Sequence, residues 1–194
     1  DAAPRTDVER ERSDRTVELF TEPGYRLHAD PDQRTVDVEV TLPLPAFESD
    51  GTASVRADLI DDMILRILVQ RLDRDVADGT APFNDISPGS NSFVTPLDAP
   101  ALYAFTDADR VTDTLTVLLD EYQRAADFGF TERELDTARG NVLSFFQTRY
   151  DGRDSHQDTR YADEYVENFL RGAAYPSIDD EYAIVTDLLD AVTV

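Results

Sequence analysis

The sequence predicts an α+β domain, an antiparallel (mixed) sheet with helices packed on one face. Three observations lead there. Residues 34–42, RTVDVEVTL, alternate strictly, with Val36, Val38, Val40 and Leu42 on one side and Asp37, Glu39 and Thr41 on the other. Period two with one charged face describes a strand in a sheet solvated on one side. Further on, Val55, Leu59, Ile60, Met63, Ile64, Ile67, Leu68 and Leu72 form a helical stripe opposed by Arg56, Asp61, Asp62, Arg66 and Gln70. Strand patterns come first and helical patterns follow in a run, the order expected when helices cover one side of an antiparallel sheet.

Taken in order, residues 1–14 are charged and read as a linker or frayed arm, leaving 15–194 as one domain of ordinary size. Thr16–Phe20 and Tyr25–His28 are short β-like pieces broken at Pro23-Gly24. Pro43 and Pro45 end the alternating strand, because proline cannot donate to a ladder. The long helix follows the loop FESDGTAS and ends in RDVADG, with Gly79 as its C-cap. Ser87–Phe93 and Leu102–Phe105 are two further strands around Pro96-Leu97-Asp98. Asp107–Asp109 caps a helix carrying Val111, Leu115, Leu118, Leu119 and Tyr122, closed by Gly129.

The stretch GFTERELDTARGNVLSFFQTRY, 129–150, is the most strongly marked helix. Thr131 and Glu134 stand at the spacing of a capping box. Leu135, Ala138, Val142, Phe145, Phe146 and Tyr150 then share one wide aromatic face. DGRDSHQD interrupts the pattern, Tyr161, Tyr165, Val166, Phe169 and Leu170 resume it, and Ser177 with Asp180 starts a last helix through Ile184, Val185, Leu188 and Leu189. The final residues read as a helix-to-strand transition, so the expectation is a piece of a longer chain.

Charge is the loudest signal. Forty-one acids against 18 bases leave −23, and every base is arginine. Such a field repels phosphate backbones and anionic lipid, which argues against nucleic acid or membrane partners. The acid serves either a cationic partner or life in high salt, and its even spread favours the second reading. The absence of cysteine excludes disulfides and thiolate chemistry without selecting a compartment. No apolar h-region opens the sequence, and no run of 18 apolar residues is present.

Nothing in the pattern does chemistry alone. His28 and His156 lack partners at metal-ligand spacing. A calcium loop counted from Asp73 needs glycine at 78 and glutamate at 84, where Asp78 and Asn84 stand. Without lysine there is no Walker A motif, and no serine sits in G-x-S-x-G. Acid pairs abound, but in so acidic a chain their proximity singles out no general acid or base.

Several words in the chain nevertheless resemble the pitrilysin/insulinase family of zinc metallopeptidases, and specifically the second, non-catalytic domain of its bacterial members. They are VEVTLPLP in the strand, LVQRLDRDVADGTAPF (68–83), GFTERELDTARGNVL (129–143) and YADEYVENFLRGAAYPSIDDEYAIVTDLLDAVT (161–193), so the resemblance covers nearly all of 20–194. The more specific elements are GFT-x-x-EL-x-x-A-R and DEYV-x-x-FL-x-G. The resemblance implies the fold of the mitochondrial processing peptidase domains, a five- or six-stranded, largely antiparallel sheet with helices on one face. It also implies pseudo-symmetric pairing with a homologous domain that carries an inverted H-x-x-E-H zinc motif. This chain has no H-x-x-E-H. It therefore resembles the half that encloses the substrate, with no cofactor of its own and zinc in the partner catalytic domain. Related peptidases place an Arg and a Tyr of the non-zinc half near the substrate, after the first long helix. Here that region holds Arg71, Arg74 and Phe83 with no tyrosine between them. These three are the candidate substrate-facing residues; surface arginines and a core phenylalanine are the alternative reading.

The expected function is thus a non-catalytic, substrate-enclosing domain that works with a zinc-bearing partner on peptides, in the same chain or another subunit. The alternative is a scaffold or interaction subunit that handles no peptide. An apolar face meant for a sister domain predicts that the isolated chain forms a homodimer or exposes a patch.

Overall fold

The computed structural model describes residues 22–30, 32, 36–42, 44–45, 51–90, 97–155, 162, 165–166, 168–169 and 176–193. The expected arm 1–14, the β-like Thr16–Phe20, His156 and most of 156–175 lie outside the described residues.

The alternating segment forms β1 (Val36–Thr41), and two more strands follow in β3 (Asp85–Ser90) and β5 (Pro100–Thr106). They make an antiparallel sheet in the order β1-β5-β3. A separate two-residue ladder pairs β2 (Leu44–Pro45) with β4 (Leu97–Asp98). The resemblance implied a five- or six-stranded, largely antiparallel sheet; among the described residues there are three strands and this separate short ladder, all antiparallel. Tyr25–His28 differs from expectation: it is exposed and forms no strand, since no ladder pairs with it. The strand expected over Ser87–Phe93 starts two residues earlier, at Asp85, and its described part ends at Ser90.

Helices α1 (Thr52–Ala77) and α2 (Val111–Phe128) pack on one face of the sheet, and α3 (Glu132–Asp151) and α4 (Ile178–Asp190) pack on α1 behind it. A 3-10 turn, Arg153–Ser155, follows α3. The inward residues Val38, Val40, Ile86, Leu102 and Ala104 meet Leu68 and Leu72 of α1 and Leu118 of α2 in one core cluster with Phe83. A second cluster joins Leu59, Met63 and Ile67 of α1 to Leu135, Ala138 and Val142 of α3 and to Val185, Leu189 and Val192 at α4. The wide stripe of α1 thus serves two cores. It is the element that ties sheet to outer helices. On α3 only the first half of the stripe is buried; Phe145 is exposed.

Local signals set the helix ends. Thr131 and Glu134 form both bonds of the capping box, and the Ser177 hydroxyl accepts from the Asp180 amide at the start of α4. Gly79 and Gly129 follow α1 and α2 with φ of 70° and 66°, a region that only glycine enters without strain. The cap expected from Asp107–Asp109 is not made. The N-cap of α2 is Arg110 with no side-chain cap bond, and the Asp107 carboxylate pairs with the Arg110 guanidinium at 2.6 Å. At the far end, Arg139 donates to the carbonyls of Leu189 (3.0 Å) and Val192 (2.7 Å). A cation is thereby held at the C-terminal end of α4, where the helix dipole is negative.

Candidate functional site

Arg71, in the last quarter of α1, is the centre of a buried charge cluster. Its Nε and Nη2 bind the two carboxylate oxygens of Glu134 at 2.7 and 2.8 Å. Nη2 also donates to the Gly129 carbonyl at 3.0 Å, and Nη1 to Glu121 at 3.1 Å. The guanidinium lies 5.1 Å from the centroid of the Phe130 ring. One side chain thereby joins α1, the end of α2, the α2–α3 turn and the first turn of α3.

The node is nearly dry: the side chains of Arg71, Glu134 and Glu121 are 10%, 12% and 5% exposed. Glu134 accepts further bonds from the Thr131 amide and hydroxyl, both 2.9 Å, and Glu121 is also paired by Arg124. The hydrogen bonds from Arg71 outweigh burial and hold the Glu134 carboxyl at about 2, down from 4.5. The same bond raises the Arg71 guanidinium well above its ordinary range. Two carboxylates bracketing one cation, with all three of its nitrogens engaged, constitute a lock between elements.

The other two expected residues part company. Phe83 is buried in the first core cluster. Arg74 is exposed, one turn beyond Arg71. The structure brings Arg71 and Phe83 into the interior and leaves Arg74 at the surface, so the three form no common wall. What sequence reasoning missed is that Glu134 has a second employment. The capping-box spacing revealed its first, but nothing marks a partner 63 positions away.

The solvent side of the sheet is a second surface with chemical content. Register places Asp37, Phe105 and Asp85 in one row across β1, β5 and β3, and Glu39, Tyr103 and Ser87 in the next. Phe105 is 41% exposed, and Asp37 and Asp85 are exposed beside it. Tyr103 lies over β3: a Cβ on Gly89 would stand 2.4 Å from its ring, so the glycine is what lets the ring lie there. Period two in PALYAFT would have revealed this aromatic pair.

An open groove of about 430 Å³ runs between α1 and the ends of β3 and β5, lined by Asp58, Asp61, Asp62, Leu65, Pro88 and Pro100. Among the described residues no three His, Cys, Asp or Glu side chains are placed to hold a metal ion, and His28 is exposed in an irregular stretch. No helix among the described residues is long and apolar enough to cross a membrane.

No protein-family model matches the chain, and no curated protein does. Solved structures do. The periplasmic protease PqqL from Escherichia coli superimposes with a TM-score of 0.74 over 84% of this chain at 16% identity. The first half of PqqL, solved separately, gives the same values. A predicted insulinase family protease from Yersinia pestis gives 0.66 over 81% at 9% identity. The chain spans 18% of PqqL, 35% of its first half and 34% of the Yersinia protein. At these identities the likeness concerns the fold: the chain is built as one α+β unit of the kind found within insulinase-like proteases.

Proposed function

We propose that the chain is a non-catalytic, substrate-enclosing unit of a zinc metallopeptidase. The observation that carries this reading is the fold shared over 84% of the chain with a protease of which it spans 18%. A unit of that size is one building block among several. One fact supports assigning it the non-catalytic part: the sequence contains no H-x-x-E-H. Its contribution would be to bind and orient an extended peptide, while a homologous partner domain supplies zinc that polarises the scissile carbonyl and activates water. Arg74, at the surface, is the one of the three expected residues available for such contact.

One observation favours the scaffold reading instead. Arg71 and Phe83 are fully employed inside the domain, as a purely architectural unit would have them. A single experiment separates the two. The zinc-bearing half, from the same gene or a neighbouring one, is assayed on an unstructured peptide with and without this chain. Enclosure predicts that adding the chain lowers KM, with zinc bound to the other half alone. An unchanged KM in a stable complex would leave the scaffold reading standing.

A further inference from the structure

We infer that the solvent side of the sheet seats an extended peptide bearing arginine or lysine, with its cation over Phe105 between Asp37 and Asp85. This deepens the enclosing role proposed above and rests on it.

The row repeats at the surface the composition of the internal node. Inside, the Phe130 ring and the carboxylates of Glu134 and Glu121 surround one guanidinium. Outside, the Phe105 ring stands directly opposite Asp37 on one side and Asp85 on the other. Directly opposed residues point to the same face with Cβ atoms about 5 Å apart. The exposed ring and its two flanking carboxylates therefore form one patch. Neither Asp37 nor Asp85 makes an ion pair among the described residues, and no arginine of the described chain covers Phe105. Phe145, another exposed phenylalanine, already has Arg149 over its ring at 5.6 Å.

The geometry favours an organic cation. Asp37 and Asp85 lie on strands either side of β5, so their backbones are about 10 Å apart with a ring between them, too wide for a shared metal ion. A guanidinium or ammonium over the ring face meets the aromatic quadrupole and reaches carboxylates on both flanks. Along β5, Tyr103 continues the flat surface toward Gly89. A peptide in extended form repeats its side chains every second residue, as does the strand beneath it. Glu39 is already engaged by the Thr41 hydroxyl and is not part of the seat.

The test is a titration of the full chain with a short unstructured peptide containing one central arginine, and with the same peptide carrying citrulline, which keeps the shape and removes the charge. Both are read by fluorescence anisotropy at about 0.15 M salt and again at molar salt, with circular dichroism confirming the fold. The expected result is arginine-peptide binding about tenfold tighter than citrulline, a preference reduced by Asp37→Asn with Asp85→Asn, by Phe105→Thr, and by molar salt. Equal binding of the two peptides overturns the inference and leaves the enclosing role intact. Failure to bind either peptide overturns both. If the substitutions instead abolish self-association and leave peptide binding unchanged, the row belongs to a second copy of the chain and the inference is overturned.

Discussion

Replacing Arg71 by methionine keeps the apolar stem but removes the cation, leaving Glu134 and Glu121 buried together. The magnitude follows from Glu134. Its folded pKa of about 2 against an ordinary 4.5 is about 2.5 units, or about 3 kcal/mol at 1.36 kcal/mol per unit. The figure applies with little discount for solvent because the side chain is 12% exposed. It also meets the range of about 3–5 kcal/mol for removing one partner of a buried ion pair. The sign is definite. A carboxyl whose pKa falls on folding contributes stability that is complete above its unfolded pKa and is lost as pH drops through its folded pKa. The wild type should therefore lose this contribution between about pH 4.5 and 2. The Arg71→Met variant has little of it to lose, so the gap between the two proteins should close over that window. Urea unfolding followed by circular dichroism at fixed salt measures this; urea is required because guanidinium salt would screen the node. A gap under about 1 kcal/mol at pH 7, or one that persists unchanged to pH 2.5, would refute the account of Arg71 as a charge lock.

Thr131→Ala removes the N-cap hydroxyl of α3 and should cost about 1 kcal/mol in the same assay. Gly89→Ala should cost about 1–3 kcal/mol, because the new methyl meets the Tyr103 ring, and the cost should shrink in a Tyr103→Ser background. The Tyr122 hydroxyl is buried without a partner among the described residues, and burial pushes its pKa up to about 12. Tyr122→Phe should then be neutral or stabilising by up to about 1 kcal/mol; a clear loss in unfolding midpoint would reveal a bond to that oxygen. If the net charge of −23 reflects adaptation to salt, the thermal midpoint should climb between dilute buffer and molar potassium chloride, and a flat profile would reject that origin.

What could be read from the sequence was whatever has its cause within one helical turn or one strand. The capping pair Thr131/Glu134, the pair Ser177/Asp180, Gly79 after α1 and the alternation of β1 are all of that kind. Their physics is complete within four residues. Tyr25–His28 failed for the complementary reason: β propensity describes a fit to neighbouring strands, and no ladder pairs with that segment. The cap at Asp107–Asp109 failed because Arg110 drew Asp107 into an ion pair. The candidate site divided the same way. Burial and long-range pairing, invisible in a sequence window, turn Phe83 and Arg71 inward.

The motif that carries the family resemblance has an architectural task for every letter. In GFT-x-x-EL-x-x-A-R, Gly129 supplies the positive φ and the carbonyl that Arg71 binds, and Phe130 lies beside that guanidinium. Thr131 caps α3, Glu134 closes both the capping box and the ion pair, and Leu135 and Ala138 fill the second core. Arg139 then binds the carbonyls at the end of α4. A motif of this kind specifies how α1, α2, α3 and α4 meet. It says nothing about the face those helices do not cover. The peptide seat proposed above lies on that open side, so substitutions of side chains in the Asp37–Phe105–Asp85 row should change binding while leaving both buried clusters intact.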